Sequence, residues 1–258
     1  MSLVPAFNPL PNMNLSLKTA VASFAAATLL ATVASTSFGA TLTLNTNTYS
    51  GSYGGGEFTA SNSGLDLSSY SSLALNANQT GFSTFCMEYG EHFSPGSTYS
   101  YSLSDRAFGG DVAGGGGDPV SLGTAWLYSQ FAQGILDGYN YTNTAARKAS
   151  NTQLQLAFWY LEDEIVGYFG HDYAVPDFSL NPFLNAVSAK FGSLSDAKAD
   201  ANGAYGVQIL NLTSNNGKTA NQSQLYYHSV PDAGATLALL GLAFLGLAGF
   251  KRKFAESR

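Results

Sequence analysis

Residues Thr41 to Tyr49 read TLTLNTNTY, with Leu42 and Leu44 alternating with polar neighbours, and this period of two predicts a first β-strand. A glycine turn follows at Tyr53 to Gly56. Gly81 to Tyr89 and Ser97 to Leu103 are two further strand segments, joined through a Pro95-Gly96 turn. Helical spacing then takes over at Leu122, Trp126, Phe131 and Ile135. A second helix is predicted to open on Ser150-Asn151-Thr152-Gln153, a capping-box sequence, and to run through Leu154, Ala157, Phe158, Leu161 and Ile165. A third spans Pro182 to Phe191, with proline in its first turn. Val207 to Leu212 and Leu225 to Ser229 read as closing strands. The order predicts one β-dominant α+β domain with a small helical subdomain over residues 40–229.

Two apolar segments flank that domain. Met13-Asn14-Leu15-Ser16-Leu17-Lys18 leads into an uncharged run from Thr19 to Ser37, and small residues follow. A basic start, an apolar run and a small-residue exit form a secretory signal over residues 1–39, with cleavage expected after Gly39. Residues 1–12 are uncharged and hold three prolines, which makes Met13 a second candidate initiator.

At the other end, Ala233 to Phe250 is an uncharged stretch of 18 residues followed by Lys251-Arg252-Lys253. At 1.5 Å per residue it reaches about 27 Å, enough to cross a hydrocarbon core. A transmembrane helix over 233–250 is therefore expected, with the basic tail 251–258 held in the cytoplasm.

Val230-Pro231-Asp232-Ala233-Gly234, the apolar helix and the basic stub together resemble bacterial PEP-CTERM sorting signals. The nearest variant reads Val-Pro-Asp-Ser-Gly, with Ala233 here in place of its Ser. The resemblance covers about the last 30 residues. It implies recognition by an exosortase-type membrane enzyme and cleavage near the motif. It also implies release or attachment at the surface of an exopolysaccharide-making Gram-negative bacterium. An ordinary tail anchor is the alternative reading of the same pattern.

Charge narrows the partners. Between residues 40 and 229 there are 15 Asp and Glu against 6 Lys and Arg, net −9, with no basic cluster to hold phosphates. Nucleic acid is not an expected partner. The abundance of Ser, Thr, Asn, Gly and Tyr suits an extracellular β-rich domain.

Cys86 is the single cysteine. Exported proteins that use cysteine structurally carry it in pairs, so an internal disulfide and a Cys-rich zinc site are both excluded. A buried hydrophobe and an intermolecular disulfide remain. Alternation puts Phe85, Met87 and Tyr89 on one face and Cys86 with Glu88 on the other, so Cys86 is not expected to share the more apolar face.

Phe85-Cys86-Met87-Glu88, taken with Gln155-Leu156-Ala157-Phe158-Trp159, resembles the paired motifs of bacterial thioester domains of surface adhesins. In that family a cysteine in an aromatic-Cys-apolar-Glu setting bonds to a glutamine in a Thr-Gln-x-Ala-apolar-Trp segment. The resemblance spans residues 84 to 165 and implies Cys86 as thiol and Gln155, 69 residues on, as acyl partner. Leu154 stands where the family has Thr, and Thr152-Gln153 offers Gln153 as a fallback out of register. Trp159, one turn beyond Gln155, would shield the bond. A thioester would be captured by an amine on a partner, giving a covalent amide.

Other constellations point elsewhere. Glu162, Asp163 and Glu164 are adjacent on a helix and read as solvated charge rather than a glycosidase pair. Asp111 and Asp118 bracket a glycine run that reads as a loop. His92, His171 and His228 share no metal-ligand spacing; no metal, cofactor or catalytic site is expected. Two function classes follow. One is a sorted surface protein that bonds covalently through Cys86 and Gln155. The other is a non-covalent structural or carbohydrate-binding matrix protein with a buried lone cysteine. A surface amine or exopolysaccharide is the expected extracellular partner.

Overall fold

The computed structural model describes residues 40–50, 55–108, 117–165 and 178–229. The expected signal peptide, the sorting motif Val230 to Gly234, the span 233–250 and the basic residues Lys251 to Lys253 lie outside them. Among the described residues no helix is long and apolar enough to cross a membrane.

The architecture is β-rich with a few helices, as expected of a β-dominant α+β domain. The strands are β1 (Thr41–Ser50), β2 (Gly56–Ser61), β3 (Gly81–Thr84), β4 (Ser97–Ser104), β5 (Arg106–Ala107), β6 (Asp118–Pro119), β7 (Val207–Ser214) and β8 (Thr219–Tyr227). Six of them form one antiparallel sheet in the order β3-β2-β1-β4-β7-β8, and β5 pairs with β6 apart from it. The helices are α1 (Leu122–Ala132), α2 (Thr144–Leu161), α3 (Pro182–Phe191) and the short α4 (Leu194–Ala197).

The two edges of the sheet meet. Beyond β3, Met87 N–H donates to Ser223 O at 3.0 Å and Leu225 N–H to Phe85 O at 3.1 Å. Cys86 and Gln224 form an antiparallel bridge between them, and Thr84 Oγ1 donates to Leu225 O at 2.7 Å. This closure satisfies edge groups that would otherwise be open to pairing with another chain.

Closure explains why Cys86 is buried although alternation puts it on the less apolar face. One face of the 85–88 segment enters the aromatic core, where Phe85 meets Phe131 and Phe158 edge to face at 5.0 and 5.3 Å. The other face is covered as well, and Cys86 is fully buried.

The expected third helix matches α3, which Asn181 caps by accepting from Phe183 and Leu184 N–H, with Pro182 in the first turn. The expected start of the second helix is corrected. α2 opens two turns earlier, at Thr144, because Asn143 accepts from Ala146 N–H and caps it. Ser150 is then mid-helix, and its hydroxyl donates back to Ala146 O at 3.0 Å. Strand β2, which follows the expected glycine turn, was missed from the sequence.

The reading of the three acids is also corrected in part. Asp163 is exposed and pairs with Lys198. Glu162 is buried, and its Oε1 accepts from Ser121 N–H and Oγ–H at 3.2 and 2.8 Å. Glu164 Oε2 accepts from Tyr89 N–H at 2.8 Å.

Candidate thiol and carboxamide site

Helix α2 turns one stripe toward β1, β2 and the Cys86 segment: Arg147, Asn151, Gln155 and Trp159, four residues apart and therefore on one face. Each is anchored. Arg147 binds Glu57 through two bonds, Nε to Oε2 at 2.9 Å and Nη2 to Oε1 at 2.6 Å. Glu57, at no measurable exposure, also accepts from Ser83 Oγ–H at 2.6 Å and Tyr139 O–H at 2.8 Å. The pair is therefore fully hydrogen-bonded, the condition for a buried charge pair to be tolerated. One turn on, Asn151 Oδ1 accepts from Glu57 N–H at 2.8 Å, and its Nδ2 donates to Tyr49 O.

The next turn brings Gln155 to Cys86. Gln155 Oε1 accepts from two backbone N–H groups, Gly56 at 3.0 Å and Cys86 at 3.1 Å, and Nε2 donates to Cys86 O at 2.9 Å. Gly56 holds φ of 113°, a conformation that favours glycine, and so turns its N–H toward the carboxamide. Gly55 has a second role. A Cβ there would lie 2.7 Å from Trp159 Cζ2 and 2.8 Å from Gln155 Cγ, so only a bare backbone lets this strand approach α2. Trp159 is buried and meets Tyr89 edge to face at 4.9 Å. Gln153 is exposed, and its backbone O accepts from Asn181 Nδ2 at 2.8 Å.

The thiol is in a poor environment for ionisation. Burial pushes Cys86 up to about 12, with Glu88 adding to the shift. A hydrogen bond from Gln224 Nε2, 3.6 Å from Sγ, acts in the opposite direction. Glu88 is itself pushed up to about 9, by burial first and then by Glu91 and Glu164.

What the arrangement offers is a lone thiol in the strand beside a carboxamide whose oxygen sits between two fixed N–H donors. The sequence singled out Cys86, Gln155 and Trp159 but not the groups that hold them. Arg147 and Asn151 carried a usable sign, the four-residue polar spacing that leads to Gln155. Gln224, opposite Cys86 across the closed sheet, carried none. Among the described residues no group of three or more His, Cys, Asp or Glu side chains is placed to hold a metal.

The model of the VPDSG-CTERM motif matches residues 229–254. This supports a PEP-CTERM-type sorting signal, implying an exported protein processed by an exosortase-type membrane enzyme and sorted through the membrane to the cell surface. No curated protein and no solved structure shows significant similarity to the chain.

Proposed function

We propose that the sorted protein closes an internal thioester between Cys86 Sγ and Gln155 Cδ and uses it to bond covalently to a primary amine on a surface partner. The observation that carries this reading is the seat of Gln155 Oε1 between the Gly56 and Cys86 N–H groups. When sulfur adds to Cδ, negative charge develops on that oxygen, where two backbone donors already point. One such donor contributes about 10²- to 10³-fold in rate in enzymes that use the same device. The C–N bond then breaks, the nitrogen leaves as ammonia carrying the thiol proton, and the thioester remains. A partner amine adding to Cδ expels the Cys86 thiol and leaves an amide.

Placement substitutes for reactivity. A carboxamide is a weak electrophile and a buried thiol is mostly protonated, so the reaction depends on holding the groups together; effective molarities of about 10⁵ M or more are attainable. The Arg147–Glu57 and Asn151 anchors hold the helix, and the backbone of Cys86 holds the carboxamide at both ends. Gln155, not Gln153, is the acyl partner in this reading, because only its side chain meets the Cys86 strand.

A second reading is favoured by the same burial. Cys86 has no measurable exposure and a raised thiol pKa, as expected of a cysteine that serves only as core. The protein would then be a non-covalent structural or carbohydrate-binding matrix component. Intact mass separates the two. The covalent reading expects freshly folded protein lighter by one ammonia, no alkylatable thiol, and methylamine adding at residue 155 as it uncovers the thiol. Full mass and indifference to methylamine would remove it. For the sorting signal, the mature extracellular form is expected to lack the tail beyond Val230-Pro231-Asp232.

A further inference from the structure

We infer that Gln224 is a positioning residue for the Cys86 thiol: its amide N–H donates to Sγ and favours the thiolate that adds to Gln155. The inference rests on the thioester reading.

Two glutamines flank the only cysteine, and their environments differ in kind. Gln155 presents an oxygen held by two backbone donors, so its carbonyl carbon is polarised toward attack. Gln224 presents its nitrogen to sulfur at 3.6 Å. Its own Oε1 is buried with no hydrogen-bond partner among the described residues, although the residue has no measurable exposure. An unpartnered buried amide oxygen is unfavourable, so burial here is not explained by satisfaction of the side chain's own groups. The nitrogen is held in place instead. Nε2 lies 3.5 Å from Gln222 O, and the Cys86–Gln224 bridge fixes the two side chains on the same face of the closed sheet. No donor polarises Gln224 Cδ, so it is not the acyl group.

The need for such a donor follows from the surroundings. Desolvation and Glu88 both oppose a negative sulfur, and the side-chain hydrogen bond from Gln224 favours it. In the reaction the thiol loses its proton, Sγ bonds to Gln155 Cδ, the Cδ–Nε2 bond of Gln155 breaks, and ammonia departs with the proton. Gln224 gains and loses no atom.

The test follows ammonia loss by intact mass during refolding of the full chain, for wild type, Gln224→Met and Gln224→Glu. Methionine keeps the length without the donor; glutamate replaces the amide by an acid. A hydrogen bond to a charged group corresponds to about ten- to a hundredfold in rate. Both variants should therefore lose ammonia more slowly by that factor, with the rate–pH profile of Gln224→Met displaced to higher pH and its far-ultraviolet spectrum unchanged. Wild-type rates in Gln224→Met would overturn the assignment while leaving the thioester in place. Methylamine found on residue 224 instead of 155 would overturn it too, making Gln224 the acyl group. A separate arm does not depend on acylation. In Gln155→Ala, whose thiol stays free, the single S–H Raman band should move when Gln224→Met is added. An unmoved band removes the contact and the inference with it. Full mass in the wild type would instead sink the thioester reading, with the band still reporting on the contact.

Discussion

The side chain of Gln155 pairs with the backbone of Cys86 as a neighbouring strand would, accepting its N–H at 3.1 Å and donating to its C=O at 2.9 Å. The carboxamide thus fills a backbone pairing position beside the cysteine that its own carbonyl carbon would acylate. Two fixed bonds and the third from Gly56 leave it little rotational freedom, and this preorganisation is lost if any of the three is displaced.

Gly55→Ala displaces them while leaving both Cys86 and Gln155 in the sequence. The added methyl would press on Trp159 and Gln155 Cγ. Overpacking of this kind costs about 1–3 kcal/mol. The expected outcome is a folded protein of lower melting temperature that retains its full mass far longer than wild type after refolding. Unchanged ammonia loss would show that the Gly55 approach is not needed to place Gln155.

The legible parts of this chain were those decided locally. Leu42 and Leu44 alternate with polar residues, and β1 forms there; Asn181-Pro182 caps a helix, and α3 starts there. Paired motifs singled out Cys86 and Gln155, and the fold sets the side chain of one against the backbone of the other. What escaped depends on distant chain. The burial of Cys86 comes from β8, more than a hundred residues on, returning to close the sheet. Glu162 looked like a surface acid until α1 brought Ser121 against it. Ser150 looked like a cap because the stronger cap, Asn143, sits before a stretch with little apolar periodicity.

The Arg147–Glu57 pair should be the most sensitive structural point outside the core. Both groups are buried, and removing one leaves the other charged and unpaired. Arg147→Met and Glu57→Gln should each cost about 3–5 kcal/mol in chemical denaturation. The double variant should cost clearly less than their sum, since neither charge is then orphaned. Additive losses would mean that the two side chains act independently.

Stability should fall toward alkaline pH. Burial raises the Glu162 carboxyl from 4.5 to about 7, so the folded chain holds that proton more tightly than the unfolded chain. Its contribution is fully present below about pH 4.5 and is lost as pH rises through about 7, on the order of 3 kcal/mol in all. Glu88, raised to about 9, and Glu91 and Glu164, also raised mainly by burial, extend the loss in the same direction. Glu162→Gln keeps an acceptor for the Ser121 N–H and O–H. It should flatten the stability profile between about pH 5 and pH 7 in urea denaturation. A wild-type profile that rises through that window would contradict the assignment.

A variant at Trp159 would separate formation of the proposed thioester from its survival. Its ring packs on Gly55 and meets Tyr89 edge to face, covering the turn of α2 that carries Gln155. It makes no hydrogen bond to Cys86 or Gln155 among the described residues, and its Nε1 is buried without a partner. Trp159→Phe should therefore leave the three bonds to the carboxamide in place, and ammonia loss should proceed at close to the wild-type rate. The smaller ring opens space beside Gly55, costs about 1–3 kcal/mol of stability and admits water to Cδ. On storage the variant should gain one water faster than wild type, ending with a free Cys86 thiol and a carboxylate on side chain 155. Mass and thiol alkylation followed over time measure both steps. Slow ammonia loss followed by normal survival would make Trp159 a support for Gln155 instead of its cover, and an unchanged lifetime would place the barrier to water elsewhere in the domain.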